Sequence, residues 1–272
     1  MTKKSKNRSI VAIPLLIAAI FVIMLVGQSL SFLFGENYRY SPGHFSTYTY
    51  RDSGYYEIDP ESILDSLNRG ETKVFTPFFG DPDRDEPYYE SAAWSQSDFL
   101  QVANSLSQET WNEPLDLENW HVIDFDFDGG CEDVPRGFHT FQIVYYRDDG
   151  ISNFERHYET RLIEMILWQG LIRWGGGYTY SVPLLLWWND IDINRFETTA
   201  DDALEVAESK GGLAVRQGVN NSCRILVSAT NGGDLFPPYQ SDKWLVGYDG
   251  ANYHLYINPF TGWPKLRMFD PQ

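Results

Sequence analysis

The longest uninterrupted apolar run lies near the start of the chain. Residues 10–27 carry no charge, and the apolar character continues to Phe34. At a rise of ~1.5 Å per residue, a helix over residues 10–34 is about 37 Å long, which exceeds the roughly 30 Å hydrocarbon core of a bilayer. The pattern therefore predicts a transmembrane helix over residues 10–34, preceded by a basic tail at residues 1–9.

The apolar segment is predicted to be an uncleaved anchor. A cleavable signal peptide has an apolar region of roughly 7–15 residues and a small-x-small exit, and this segment is longer and lacks that exit. Lys3, Lys4, Lys6 and Arg8 precede it, and cations beside a span favour the cytoplasmic side. We therefore expect a single-pass protein of the cell membrane, with its N-terminus cytoplasmic and its C-terminal part extracytoplasmic. Cleavage within residues 31–35 is the alternative.

Residues 35–93 are rich in Tyr, Pro, Gly and acidic side chains. This composition is typical of a stalk, or of a segment that wraps around a folded domain. One short helix is predicted within it, because Asp59 can cap a first turn that contains Pro60 and Gly70 can end the helix.

Two later helices begin with the same signature. Ser95 stands three residues before Asp98, and Thr199 stands three residues before Asp202. Both are capping boxes with Asp in place of the usual Glu. Strand-like runs follow each helix: residues 120–127, 138–147 and 154–174 (with a bend at Gln169-Gly170) after the first, and residues 224–230, 243–248 and 253–258 after the second.

This order of elements predicts an α+β fold. We expect two related units, residues 94–195 and residues 196–272, each with one helix that covers one face of an antiparallel sheet. The matching caps favour a duplication. A turn or loop is expected where Arg147-Asp148-Asp149-Gly150 interrupts the apolar pattern.

The first strand after the first helix alternates clearly between two kinds of side chain. The predicted faces are Ile123, Phe125 and Phe127 on one side and Asp124, Asp126 and Asp128 on the other. Residues 124–132 also match the opening of a calcium loop, but its twelfth position is Pro135, where calcium needs a bidentate carboxylate. An acidic strand that runs into a Gly-Gly turn is the preferred interpretation.

The net charge of the chain limits the classes of partner that we expect. Without the four cations of the tail, 17 Lys and Arg stand against 38 Asp and Glu, a balance of −21. A domain with this charge repels phosphate backbones, so nucleic acid is not an expected partner. Aromatic residues make up 16% of the chain, which favours a folded core over disorder.

Few residue types with site chemistry stand out. Cys131 and Cys223 are the only cysteines and can form one internal disulfide or remain two separate thiols. Trp187-Trp188 ends the most apolar run outside the anchor, and it is either a partner surface or part of the core. We identify no catalytic residue, metal site or cofactor motif.

The C-terminal quarter, residues 199–266, resembles a PepSY-like domain. The resemblance rests on Asp202–Ala207 with Gly211-Gly212, the strand around Trp244–Tyr248, and Tyr253–Gly262. Asn258 stands where this family usually has Asp, and Trp263 where a charged residue is common. The segments at Phe75-Thr76-Pro77 and Trp94-Ser95-Gln96 resemble a group of bacterial membrane-anchored proteins without assigned activity. The resemblance implies a cystatin-like fold, a binding or inhibitory module associated with the regulation of peptidases, and no catalytic residues.

The sequence thus predicts a membrane-anchored, extracytoplasmic, non-catalytic module that binds or regulates an unknown protein partner. Two alternatives remain: a hydrolase that uses carboxylates, and a solute-binding module.

Overall fold

The computed structural model describes residues 51–71, 74–82, 89, 92–134, 136–152, 155–183, 191–231, 242–251 and 253–266. The predicted tail and span, as well as Trp187 and Trp188, lie outside these residues. Among the residues described, no helix combines the length and apolar character needed to cross a membrane.

The described residues form ten strands and four α-helices. The strands are β1 Asp52–Glu57, β2 Thr76–Phe78, β3 His121–Gly130, β4 Thr140–Ser152, β5 Glu155–Ile166, β6 Leu171–Pro183, β7 Arg224–Asn231, β8 Asp242–Asp249, β9 Tyr253–Ile257 and β10 Pro264–Leu266. The helices are α1 Ile63–Asn68, α2 Gln96–Trp111, α3 Ala200–Ala207 and α4 Leu213–Gly218.

All ten strands belong to one antiparallel sheet in the order β10-β9-β8-β7-β3-β4-β5-β6-β1-β2. The predicted α+β class is therefore confirmed. Helix α2 is followed by β3 to β6, and helix α3 is followed by β7 to β10. The first strands of the two series, β3 and β7, pair antiparallel at the centre, so both series share a single sheet.

The described part of residues 35–93 is built into this sheet. Strand β1 pairs with β6, and β2 pairs with β1 at the sheet edge. Between them, the Asp59 carboxylate accepts a hydrogen bond from the Glu61 amide at 3.1 Å, and α1 ends before Gly70, whose φ is +74°. This part of the segment therefore wraps onto the domain, as one of the two sequence interpretations predicted.

Helices α2 and α3 cover one face of the sheet, here called the inner face, which holds the core. The buried residues of α2 include Phe99, Val102, Ala103 and Leu106, a spacing that places them on one side of a helix. Phe99 stacks on Phe141 of β4 with ring centroids 5.2 Å apart. Each buried aromatic side chain contributes about 1.5–3 kcal/mol to the free energy of unfolding.

Both predicted capping boxes are present. Ser95 Oγ accepts a hydrogen bond from the Asp98 amide at 3.3 Å, and the Asp98 carboxylate accepts one from the Ser95 amide at 3.0 Å. Thr199 and Asp202 make the same pair of bonds, at 3.1 and 2.8 Å. These side chains satisfy amides that an α-helix cannot satisfy from within.

The two helix N-termini also bond to each other. The Gln96 amide donates to Asp201 Oδ2 at 2.9 Å, and Gln96 Oε1 accepts from the Ala200 amide at 2.7 Å. Burial raises the pKa of Asp201. This exchange joins the starts of α2 and α3 directly.

Two predictions about strands were wrong because of β-bulges, and a third was wrong because the run at residues 154–174 holds two antiparallel strands, β5 and β6, joined by a turn, and not one bent strand. A bulge between Val122 and Asp124 breaks the alternation in β3, so Val122, and not Ile123, lies with Phe125 on the inner face. Ile123 packs instead against a separate pair of buried tyrosines, Tyr146 and Tyr158. An extra residue in one strand shifts every side chain before it to the other face.

The second error concerns the turn or loop expected at residues 147–150. Strand β4 continues through this segment to Ser152, with a bulge between Asp148 and Gly150. Gly150 has φ +104°, a conformation that glycine adopts without strain.

Candidate functional site

The candidate site is an open groove of about 770 Å³ at one end of β3. We call it the polar groove. Its lining is mostly charged or polar: Asp128, Gly129, Gly130, Glu132, Asp133, Arg136, His139, Thr140, Trp168 and Arg224.

A row of three carboxylates on the outer face of β3, opposite the helices, leads into the groove. Asp124, Asp126 and Asp128 alternate with the inner-face residues Phe125 and Phe127, as predicted from period-two patterning. The outer face of this strand is therefore acidic by sequence, and only Asp128 belongs to the groove lining.

Asp124 and Asp126 are neighbouring buried carboxyl groups on the same face of β3 as Asp128. Asp124 is only 5% exposed and accepts a hydrogen bond from the side-chain amide of Gln142. Asp126 accepts a hydrogen bond from the Ser228 hydroxyl. Burial, together with the negative charge of Asp126, raises the pKa of Asp124 well above its usual value. Burial also raises the pKa of Asp126. Burial and the mutual repulsion of the two charges therefore disfavour ionisation of both carboxyl groups at once.

Asp128 meets Arg224 across the central pair of strands. Arg224 Nε donates to Asp128 Oδ2, and the guanidinium remains 67% exposed. Burial raises the pKa of Asp128 to about 6, although the Arg224 charge acts in the opposite direction. The groove therefore presents a carboxyl group that titrates near neutral pH.

A disulfide fixes the end of β3 to the start of β7. Cys131 and Cys223 are bonded, with their Cα atoms 5.2 Å apart, and the Cys131 amide donates to the Cys223 carbonyl at 3.0 Å. Immediately before it, Gly130 leaves room for Asp133, because a Cβ at this position would stand 2.6 Å from Asp133 Oδ2. The turn after β3 thus folds back over its own strand.

His139 holds the other side of the groove. Its Nδ1 lies 2.7 Å from the Ala92 carbonyl, and its Nε2 lies 2.8 Å from Asp133 Oδ2, a close contact without hydrogen-bond alignment. Its backbone amide donates to the Asp128 carbonyl at 2.7 Å. Arg136 adds a second, longer ion pair to Asp133 at 3.7 Å.

A second polar cluster lies on the inner face, beyond the C-terminal end of α2. Two arginines alternate there with two indoles: Arg161 lies 4.9 Å from the Trp111 ring centroid and 4.2 Å from that of Trp120, and Arg147 lies 4.5 Å from Trp120. We call this set the cation–π ladder. Gly176 leaves the space for it, since a Cβ there would stand 2.7 Å from the Trp111 indole nitrogen.

Two glutamates bridge the arginines of the ladder. Glu113 contacts Arg161 at 2.7 Å and Arg147 at 3.1 Å, and Glu159 contacts Arg147 at 2.6 Å. Partial burial raises the pKa of Glu113, but hydrogen bonds from Arg161 and Trp120 and the two arginine charges outweigh it and leave this pKa lowered. Burial raises the pKa of neighbouring Tyr145 to about 12.

The sequence indicated only part of these two clusters. It predicted the acidic face of β3 and left a Cys131–Cys223 disulfide as one of two alternatives, but it did not identify Arg224, the contact of His139 with Asp133, or the ladder. Residues 124–130 are extended in β3 and do not form a calcium loop, an interpretation that Pro135 at the twelfth position already disfavoured. Within the described ranges, no group of three or more His, Cys, Asp or Glu side chains is placed to hold a metal ion.

The chain was compared with models of protein families, with curated proteins and with solved structures. None of the three comparisons yields a match.

Proposed function

We propose that the protein is a membrane-anchored, extracytoplasmic binding or regulatory module without catalytic function, and that it engages its partner through the polar groove. The observation that carries this proposal is the groove itself. The disulfide and backbone hydrogen bonds fix the strand ends that carry its charged side chains, and Arg136 and Arg224 remain 63% and 67% exposed. The inner face, in contrast, is filled by packed aromatic side chains such as Phe99 and Phe127, both 0% exposed.

The pairing of charges supports binding over catalysis. Arg224 neutralises Asp128, and His139 and Arg136 face Asp133. These contacts keep both carboxylates beside cations in defined positions, which suits the recognition of a partner.

The anchor and the location remain part of the proposal. The apolar run at residues 10–34 and the cations before it support a single span with the N-terminus inside. The Cys131–Cys223 disulfide supports an oxidising compartment for the folded part, since cytosolic proteins rarely keep structural disulfides.

We also propose that the two helix–sheet series arose by duplication of a PepSY- or cystatin-like unit. Supporting this are the two capping boxes, the two series of four strands, and the antiparallel pairing of β3 with β7. The resemblance suggests a peptidase or a neighbouring membrane complex as the partner.

The binding proposal is tested by site-specific crosslinking in native membranes, followed by mass spectrometry of the captured proteins. We compare the wild type with the groove variant Arg136→Ala/Arg224→Ala and with a control, Arg69→Ala/Glu71→Gln. The control removes an exposed 2.8 Å ion pair that lies just after α1 and outside the groove. A partner lost in the groove variant and kept in the control supports the proposal, and a partner set unchanged by the groove variant contradicts it.

A hydrolase is the second candidate, favoured by Asp128. A carboxyl group whose pKa is raised to about 6 by burial, at the edge of an open groove, meets the requirement for a general acid. The test is release of reducing sugar or of peptide amine from polymeric substrates. In this case Asp128→Asn should lower the rate at least ~100-fold, and a rate that Asp128→Asn leaves unchanged eliminates this candidate.

A further inference from the structure

We propose that the group that enters the polar groove is a neutral oligosaccharide, carried by the partner or free. This inference rests on the proposed function, because it takes the groove to be the binding site. It adds the chemical class of the ligand, which neither the sequence nor the comparisons assign.

The first argument is that four of the five Asp, Glu and Arg side chains in the groove lining are paired internally, and among the described residues Glu132 has no ion pair. Asp128 bonds to Arg224, and Asp133 contacts both His139 and Arg136. A ligand with a net charge competes with one member of each pair for the other, so the interaction that it gains replaces one that already exists. A hydroxyl group donates to a carboxylate and accepts from a guanidinium at the same time, so it can bridge each pair without breaking it. Polyhydroxylated ligands therefore match this lining.

The second argument is the position of Trp168. It lies in the short turn Leu167–Gln169, whose other two residues are buried, and the Leu167 amide donates to the His139 carbonyl at 2.9 Å. The turn ends at Gly170, where φ is +64° and a Cβ would stand 2.7 Å from the Ile58 carbonyl oxygen. Trp168 thus stands on an anchored turn at the groove wall, and an indole offers a large apolar surface to the C–H face of a sugar ring.

The third argument disfavours a peptide as the ligand. Peptides often add a strand to an exposed sheet edge, but β3 is bonded to both β4 and β7, so the floor of the groove is not an edge. The centre of a protein interface is also depleted of charged residues and rich in aromatic ones. Among the described lining residues, five are Asp, Glu or Arg and only Trp168 is aromatic apart from His139.

The size of the groove is compatible with this class of ligand. Its volume of about 770 Å³ lies in the range of roughly 300–1,000 Å³ that is typical of small-ligand sites. An open groove, unlike a closed cavity, accepts a ligand whose two ends continue into solvent. We therefore expect a chain of sugar units to bind better than a single ring.

The test is titration of the full-length protein in a zwitterionic detergent without sugar head groups. The probes are three neutral hexasaccharides (chitohexaose, cellohexaose and maltohexaose), the corresponding monosaccharides and one anionic oligosaccharide, alginate hexamer. We expect saturable binding of at least one neutral hexasaccharide by calorimetry. Its affinity should change less than threefold between low and physiological salt.

Matched tryptophan variants localise the binding. Trp168→Ala should lower the affinity at least tenfold, and Trp168→Phe, which retains an aromatic ring and guards against loss of folding, should lower it by less. Trp263→Ala is the control, because Trp263 is 75% exposed and is not a groove residue. It should bind as the wild type does.

The inference is overturned if none of the neutral hexasaccharides binds at millimolar concentration, if alginate binds more tightly than all of them, or if Trp168→Ala binds as tightly as Trp263→Ala. Its failure is separable from that of the proposed function. If no sugar binds and the groove variant still loses its crosslinked partner, the ligand class is wrong and the binding role stands. If no sugar binds and the groove variant keeps its crosslinked partner, both the ligand class and the binding role are wrong.

Discussion

The polar groove and the cation–π ladder use the same residue types in opposite ways. Each contains two arginines beside carboxylates and tryptophan. In the ladder, Arg161 is 4% exposed and lies between two indole rings, so its charge is enclosed by the protein. In the groove, Arg136 and Arg224 are 63% and 67% exposed. The comparison shows that burial, more than composition, separates a cluster that stabilises the fold from one that is available to a ligand.

The largest effect that we expect comes from the bond that frames the groove. Cys131→Ala/Cys223→Ala should lower the free energy of unfolding by about 4 kcal/mol, because the disulfide closes a loop between residues 92 positions apart. The measurement is chemical denaturation of the variant and the wild type under oxidising conditions. The ladder should remain intact, so the near-ultraviolet signal of its tryptophans should persist below the midpoint. A change of less than ~1 kcal/mol would show that the turn after β3 is held by other contacts.

The second prediction separates the two clusters directly. Arg161→Met should destabilise the protein by about 3 kcal/mol, since it removes two cation–π contacts and a buried ion pair. The matched variant Arg224→Met removes an exposed ion pair and should cost no more than ~1 kcal/mol. Denaturation midpoints of both variants at one pH provide the comparison. Equal losses of stability in the two variants would mean that the enclosure of Arg161 between the indoles does not stabilise the fold.

The third prediction concerns Asp124 and Asp126, the neighbouring buried carboxyl groups of β3. The pKa of Asp124 is raised in the folded state by burial and by Asp126, so the stability that its protonation provides is present at low pH and is lost as pH rises through the folded-state pKa. Asp124→Asn mimics the protonated form, because an amide can donate to Asp126 and still accept from Gln142. It should therefore raise the melting temperature at pH 8 and have little effect at pH 4.

The control for this pH effect is Asp98→Asn, which changes the capping-box carboxylate at the N-terminus of α2. This variant should lower the stability of the protein at pH 8. The expected gain for Asp124→Asn exceeds the scatter of ~0.5 kcal/mol among ordinary surface substitutions. If the variant is less stable than the wild type at pH 8, Asp124 is ionised in a site that needs its charge.

The sequence predicted the local features of this fold but not the features that depend on pairing between segments far apart in sequence. The caps at Ser95 and Thr199 are short-range signals, and the structure contains both. The signal at Gln169-Gly170 is also local, but it marks a turn between the antiparallel strands β5 and β6 and not a bend within one strand. The bulge at Val122 has no local signal, because a bulge is fixed by the partner strand.

The two polar clusters were missed for the same reason. Arg224 and Asp128 are 96 residues apart in sequence and meet only because β3 pairs with β7. The ladder requires Trp111, Trp120, Arg147 and Arg161 to converge from a helix end, a loop and two strands. The acidic face of β3 could be predicted, but which of its carboxylates faces a groove could not, since that depends on where the chain turns after Gly130.

The smallest effect on stability is expected at Gly130 itself, with a larger effect on the groove. In Gly130→Ala the new Cβ would stand 2.6 Å from Asp133 Oδ2, and the flexible carboxylate can swing away at a cost of no more than ~1 kcal/mol. Its contact with His139 should then be lost, which a shift of the His139 ring resonances in NMR spectra would report. Gly218→Ala is the control, because nothing lies within 4 Å of a Cβ at that position. If Gly130→Ala leaves the His139 resonances and partner crosslinking unchanged, Asp133 does not shape the groove, and the contrast with the ladder would then depend on Asp128 and Arg224 alone.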